Sequence, residues 1–421
     1  MLHTEPTLLQ DVRARFAHVE TCPFTGARIF FENAGGALTL NSVVETSARL
    51  AAIPDNQGRA NGASAALMEM IARGREDMRL FFNAPGGEVI VGESGTELLF
   101  RLIRAACLGT PEGVVLGSTV EHPATRSAAD HWARAAGKTH VLVAHDPAAG
   151  RVSAAAYAAD VTAQTRVATI VHTSPVTGIG MDIAEIAAEI RRRAPACFII
   201  VDGIQHAAHG PIDIAGAGID GYVVSPYKMF ARHGYGVAWL SERLAALPHE
   251  HLLDAPGDPW EFGTRDTAAY ATFTDVVDYL QWLGTSVGAK GGRRACLEAA
   301  GGAIAAQERA LCEAMLHGIG NRAGLAALPG VQIIGGAENP HREGLVTFAL
   351  AGRDCAQVVE KLNARGIRTH LRKADHYSGS VLKPLGIETS TRVSFCHYNS
   401  LDEVSAFLDA MAEIVDRPDG P

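Results

Sequence analysis

Nowhere in the 421 residues does an uncharged apolar run approach the ~18 residues that a membrane-spanning helix needs, so no membrane span is expected. The opening stretch, MLHTEPTLLQDVRARF, lacks the basic-then-apolar order of a signal peptide, and a cytosolic protein is expected. Basic residues are not in excess: 37 Lys and Arg against 46 Asp and Glu leave a net charge of −9, with both signs scattered along the chain. No broad basic surface is available to neutralise nucleic-acid phosphates or anionic lipid, which excludes both as expected partners. Cysteine is sparse and unpatterned. Cys22, Cys107, Cys197, Cys296, Cys312, Cys355 and Cys396 are odd in number and widely spaced, without a CxxC pair or a His-rich cluster. That pattern speaks against disulfides and against a zinc site, and buried thiols are expected. Internal repeats, low-complexity tracts and long flexible linkers are absent too. Aromatics reach only 6%, yet 47% hydrophobic and 20% charged residues exclude collagen-like and disordered classes. At ~150 residues per domain the length suggests two to three domains.

From about residue 85 to 245, short β-branched runs alternate with Ala-rich stretches carrying apolar residues at spacings of three and four. The runs are EVIVG (88–92), VVLGS (114–118), HVLVA (140–144), VATIV (167–171), FIIVD (198–202), GYVVS (221–225) and GVAWL (236–240). This predicts an α/β domain whose mostly parallel, seven-stranded sheet is covered on both faces. The connection between the last two runs is too short for a helical crossover, so the final strand is expected to be antiparallel. Beyond residue 265 two long helices are predicted, then VQIIG (331–335), GLVTFAL (344–350), GIRTHL (366–371) and TRVSFCHY (391–398), interleaved with helical segments. These form a small α+β C-terminal domain. The expected division is an N-terminal segment 1–40 packing near the small domain, a large domain 41–285 and a small domain 286–421.

Ligands of open parallel sheets sit beyond the carboxyl ends of the strands. There the chain places Glu93-Ser94-Gly95-Thr96, Glu121-His122-Pro123-Ala124, His172-Thr173-Ser174-Pro175, Asp202-Gly203-Ile204-Gln205 and Ser225-Pro226-Tyr227-Lys228. One sheet edge thus collects an anion-binding turn at a helix start, an imidazole, a strand-end carboxylate and a lysine. The combination suits pyridoxal 5'-phosphate, which needs a lysine for its Schiff base, a carboxylate for its pyridinium nitrogen and donors for its phosphate. Asp202 would keep the ring nitrogen protonated and the ring an electron sink, while Lys228 would bind the cofactor and later shuttle protons.

The string VDGIQHAAHGPIDIAGAGIDGYVVSPYKMFARHGYGVAWL resembles the Asp-x-x-Gln…Ser-x-x-Lys core of the class V aminotransferase superfamily of fold-type I pyridoxal-phosphate enzymes. It is most similar to the group with cysteine desulfurases, selenocysteine lyases and isopenicillin N epimerases. The resemblance runs from FENAGG, with Asn33 as a candidate at the substrate, to RVSFCHYNSLDEV. It implies that His122 stacks on the cofactor ring, Asp202 meets the ring nitrogen, Gln205 approaches the phenolic oxygen, and Gly95, Thr96 and Ser225 bind the phosphate. It implies a homodimer as well, because Thr264 in Gly263-Thr264 matches a threonine that reaches the neighbouring subunit's phosphate, so that the active site is shared across the interface. Arg392 matches the arginine that grips the substrate carboxylate, a task suited to the guanidinium fork.

Three departures bear on the chemistry. Desulfurases carry Arg-x-Gly-His-His-Cys on a mobile loop, where this chain has Arg372-Lys373-Ala374-Asp375-His376-Tyr377. A phenol does not accept a sulfane sulfur as a thiolate does, so persulfide formation by the usual route is not expected. Pro175 replaces an asparagine of the desulfurase pattern, and Tyr227 stands where a histidine usually precedes the lysine, its hydroxyl still able to donate to phosphate. The expected function is therefore a pyridoxal-phosphate-dependent lyase or transferase. An amino acid would be held by Arg392 with help from Arg372, lose its Cα proton to Lys228 and undergo β-elimination, with His376 or Tyr377 as the second acid. Transamination and epimerisation stay open, as does an inactive cofactor-binding subunit.

Overall fold

The structure is a computed structural model that describes residues 2–257 and 259–416. Seven strands form the central sheet: β1 (Glu88–Gly92), β2 (Val114–Ser118), β3 (Thr139–Val143), β4 (Thr165–Val171), β5 (Phe198–Asp202), β6 (Gly221–Val224) and β7 (Gly236–Leu240). Their order is β1-β7-β6-β5-β4-β2-β3. The five from β6 to β3 run parallel, and β7 lies antiparallel between β1 and β6, as the short connection predicts. Strands β5, β6 and β7 are buried at every residue, which is why they read as continuous apolar runs and not as alternating ones. Helices on both faces supply the cover. Ile183–Arg193 is typical: Asp182 caps it by accepting from Glu185 N, and Ile183, Ile186, Ala187 and Ile190 turn one apolar stripe inward.

Two long helices, Thr267–Ser286 and Arg293–His317, lead to a second sheet of β8 (Val331–Ile333), β9 (Leu345–Leu350), β10 (His370–Lys373) and β11 (Thr389–Ser394), in the order β8-β9-β11-β10 and antiparallel throughout. Two sequence expectations shift here. GIRTHL is not one strand: Ile367–Arg368 pairs in parallel with Ile29–Phe30, and the chain then crosses to β11 as β10. The last predicted strand starts earlier and ends at Ser394, because the chain beyond it folds into a turn in which Cys396 O accepts from Asn399 N and Asn399 Oδ1 accepts from Cys396 N. Cys396 therefore sits in a turn, still buried. Phe31 shares a core with Val393, Phe395 and Phe407, whereas Leu2, Val12, Phe16, Leu38 and Leu40 of the same N-terminal stretch pack into the core that holds the large sheet. All seven cysteines are free, Cys22 half-buried and the others buried. Among the described residues no helix is long and apolar enough to cross a membrane.

Candidate active site

Strand ends β1, β2, β4, β5 and β6 open onto one cleft, lined by Thr96, His122, Thr173, Asp202, Gln205 and Lys228 among others. Lys228 closes a single 3₁₀ turn after β6, its amide bonded to Ser225 O. Its Nζ is buried and donates to Gln205 Oε1 at 3.2 Å. Burial and the Arg392 guanidinium push the Lys228 pKa down to about 7, while Asp202 pulls the other way. Such a lysine is partly neutral at physiological pH and so nucleophilic.

Asp202 ends β5. Its Oδ2 accepts from Thr125 Oγ1 at 2.7 Å and its Oδ1 from Ile204 N at 3.1 Å, bonds that fix the carboxylate while burial pushes its pKa up. His122 caps the helix Pro123–Ala135: its Nδ1 accepts from Ala124 N. Burial first, then Lys228 and Arg372, lowers its pKa to about 3, so the ring is neutral with its one proton on Nε2. That nitrogen lies 2.5 Å from Tyr377 Oη, and the Nε2–H donates to the phenolic oxygen. Tyr377 is presented by a turn in which Asp375 Oδ1 accepts from the amides of Tyr377 and Ser378. The Arg372 guanidinium covers the phenol ring at 4.3 Å.

The helix Gly95–Leu108 starts at the cleft with Ser94 as its cap. A Cβ on Gly95 would come within 2.4 Å of Ser225 Oγ and 2.6 Å of Ile204 Cδ1. Only glycine lets this helix start approach so closely, and its first-turn N–H groups, with Thr96 and Ser225, make a cradle for an anion. On the opposite wall, Arg392 of β11 donates through Nη1 to Pro175 O at 3.0 Å. Arg392 pairs with His370, so Arg372, two residues on, shares its face of the sheet. Burial and Arg372 lower the Arg392 pKa to about 9. Glu32 stands near, but its two oxygens are taken by His370 Nδ1 (2.9 Å) and Arg368 Nε (3.1 Å). The Nε atoms of both buried arginines have no hydrogen-bond partner.

Three expected residues lie elsewhere. Asn33 does not face the cleft: its Nδ2 donates to Phe30 O, Ser394 O and Asn399 Oδ1, and its Oδ1 accepts from Tyr398 Oη. Its amide is spent on tying the N-terminal segment to the turn after β11, and the substrate-side role gives way to that structural one. His376 points outward and is exposed, so of the two candidate second acids only Tyr377 reaches the site. Thr264 is exposed on its loop, beside the positive-φ Gly263. Tyr227 lines the cleft and stacks on His233 at 4.3 Å. Glu121, which follows β2 directly, carries no pattern in the sequence that marks it: it is buried, Thr169 Oγ1 lies 2.9 and 3.0 Å from its two oxygens, and burial pushes its pKa up to about 8.

A lysine, a strand-end carboxylate, a neutral imidazole and a glycine-made anion cradle thus face one cleft, a donor set that fits pyridoxal phosphate. The Aminotransferase class-V family matches residues 29–407. A probable cysteine desulfurase of Mycolicibacterium paratuberculosis is 27% identical over 81% of this chain, and the chain spans about half (48%) of that relative's length. The cysteine desulfurase-like protein ustD of Aspergillus flavus is 28% identical, the match covering 93% of this chain and 88% of that one. In structure, the cysteine desulfurase of Thermococcus onnurineus superposes with a TM-score of 0.80 at 21% identity, over 97% of this chain and 98% of that chain. CsdA of Escherichia coli does so with 0.78 at 22%, over 97% and 98%. The chain belongs to the class-V aminotransferase family and is a pyridoxal-phosphate-dependent enzyme with the fold-type I architecture.

Proposed function

We propose that the enzyme is a desulfurase-like lyase that removes a β-substituent from an amino acid without passing sulfur to a cysteine of its own. Pyridoxal phosphate, when bound, supplies the electron sink that acidifies the Cα–H of an attached amino acid. Lys228, buried and poised near neutrality, anchors the cofactor and takes that proton. Asp202, immobilised by Thr125 and Ile204 N, keeps the ring nitrogen protonated, and Gly95, Thr96 and Ser225 hold the phosphate. Gln205 and Tyr227 complete the cofactor wall. Arg392 and Arg372 grip the substrate carboxylate. As the Cβ bond breaks, its electron pair leaves with the substituent.

The observation that carries the reading is the placement of Tyr377. His122 Nε2 donates to its oxygen, so the phenolic O–H is free to point at substrate and protonate the departing group. No thiol stands at that position, and burial holds Cys396, which lies beside His209 and Glu308, well above the ordinary thiol pKa, which makes it inert. The same phenol favours one second reading, epimerisation, if its proton goes to Cα instead. Incubation with L- and D-amino acids in heavy water separates them. Pyruvate and the released substituent support elimination, deuterium at Cα with inverted chirality supports epimerisation, and a keto acid with aminated cofactor would identify a transaminase.

The exposed Thr264, and Leu252 and Leu253 on the same loop, suit a homodimer in which this loop reaches the partner's cofactor phosphate. We place the boundary between the 41–285 and 286–421 domains at the link joining the two long helices. Seven free thiols fit a reducing compartment such as the cytosol.

A further inference from the structure

Behind the cleft lies a group of titratable side chains that the reaction above does not use. Gln205 gives its Oε1 to Lys228 Nζ, and its Nε2 lies 3.1 Å from His209 Nε2. The other ring nitrogen, His209 Nδ1, is 2.8 Å from Glu308 Oε2, an acid supplied by the helix Arg293–His317. Both residues are buried, and Glu308 Oε1 has no hydrogen-bond partner. They also line a cavity of about 500 Å³ that shares no lining residue with the cofactor cleft. The dyad thus meets the lysine on one side and a separate opening on the other.

This hydrogen-bond chain has two proton states with different geometry. An amide has one donor end and one acceptor end. With His209 neutral, Nδ1–H donates to Glu308 and Nε2 accepts from Gln205, which leaves the amide oxygen for Lys228, the arrangement seen here. If His209 takes up a second proton, Nε2–H becomes a donor, satisfied only when Gln205 turns its oxygen toward the ring. The amide NH2 then faces Lys228.

We propose that His209 and Glu308 are positioning residues that set, through the amide of Gln205, whether an acceptor or a donor faces Lys228 and the group it carries, and that they exchange their proton through the rear cavity. The inference rests on Lys228 being the cofactor lysine. Burial disfavours the charged imidazole, but Glu308, with Glu343 behind it, outweighs burial and raises the His209 pKa, and Lys228 opposes them. From the remaining sides the dyad is faced by Cys396, whose Sγ lies within 4.8 Å of the ring nitrogen and the carboxylate, by His397, whose pKa burial and then His209 lower to about 3, and by His206, itself bonded to Glu343 at 2.8 Å. Cys396 stays a neutral thiol, so the one proton of interest is shared by His209 and Glu308.

The test is a pH titration of the holoenzyme's visible cofactor band from pH ~5.5 to 9.5. Glu308→Gln removes the carboxylate that sustains a charged His209, which fixes Gln205 with its acceptor toward Lys228 at every pH. The protonated nitrogen keeps its acceptor, and the midpoint should rise by about one unit, a tenfold change, since a hydrogen bond to a charged group is worth ~1–2 pKa units. Glu308→Asp should return the midpoint toward the parent. A Glu308→Gln enzyme that binds cofactor and titrates like the parent overturns the proposal, whatever its turnover. Should the variants not fold, neutron diffraction from parent holoenzyme crystals at two pH values reads the hydrogens directly. A His209 Nε2 that is protonated at alkaline pH, or a Gln205 amide unchanged between the two states, overturns it equally. Lys228→Ala separates the premises: a band that survives there refutes the assignment of the lysine, whereas loss there with an unmoved Glu308→Gln midpoint refutes the dyad alone.

Discussion

Glu121 offers the most direct test of how this cleft manages charge. It stands next to His122 and is felt by Asp202, so an ionised Glu121 would set a second negative charge behind the carboxylate that must answer the ring nitrogen. Burial outweighs the Thr169 hydrogen bond and lifts its pKa from the ordinary 4.5 to about 8. Between those values the folded protein holds a proton that the unfolded chain releases. Stability is complete below the unfolded value and is lost as pH rises toward the folded one. At 1.36 kcal/mol per pKa unit the loss from this group is roughly 3 kcal/mol at pH 7, and it grows by ~1.4 kcal/mol per pH unit until about pH 8. Glu121→Gln keeps the shape and the acceptor for Thr169 but does not titrate. Any constant cost of the amide cancels when the two proteins are compared across pH. Urea denaturation at pH 5.5 and 7.5, at one protein and cofactor concentration, should show the variant gaining ~2–3 kcal/mol on the parent between the two. A gap that changes by less than ~0.5 kcal/mol would refute a neutral, buried Glu121.

Other consequences follow from the same geometry. The rate at which apoprotein acquires the visible band on mixing with pyridoxal phosphate should climb with pH through about 7, as the Lys228 ammonium becomes a free amine, and a rate flat from pH 6 to 8.5 would contradict that placement. Tyr377→Phe keeps the ring under Arg372 but removes the proton donor, so kcat should fall ~100-fold with KM little changed, and an unaltered kcat would exclude the phenol as the second acid. Arg392→Lys cannot reproduce the fork against a carboxylate and should cost ~10–100-fold in kcat/KM, expressed mainly in KM, while the cofactor spectrum stays as in the parent. Asn33→Ala, by contrast, should lower stability and leave KM for substrate nearly unchanged, because its amide holds the N-terminal segment and not the substrate.

What could be read along the chain was whatever local pattern fixes. Doubly buried strands announce themselves as β-branched runs, and the short link before Gly236 forces β7 to reverse, so all seven strands of the large sheet were legible to within one or two residues at their ends. The strand-end rule then places Asp202, His122, Ser225 and Lys228 at one edge without any knowledge of contacts. Pairings between distant segments were not legible. GIRTHL has the composition of one strand, and it splits because Ile29–Phe30, more than 300 residues earlier, competes with β11 for its backbone. FENAGG reads as a substrate motif, but which acceptors surround Asn33 depends on Ser394 and Asn399 arriving from the other end of the chain. The partnership of His122 with Tyr377 spans 255 residues, and that of His209 with Glu308 spans 99. In each case the residue type carries the chemistry, while the proton's position is decided by the partner: Ala124 N fixes the His122 tautomer and thereby hands Tyr377 its role as donor, and Glu308 does the same for His209 and Gln205. Two imidazoles whose tautomers are set from behind therefore govern both walls of the cleft, and exchanging the partner of either should alter which proton is delivered before it alters what is bound.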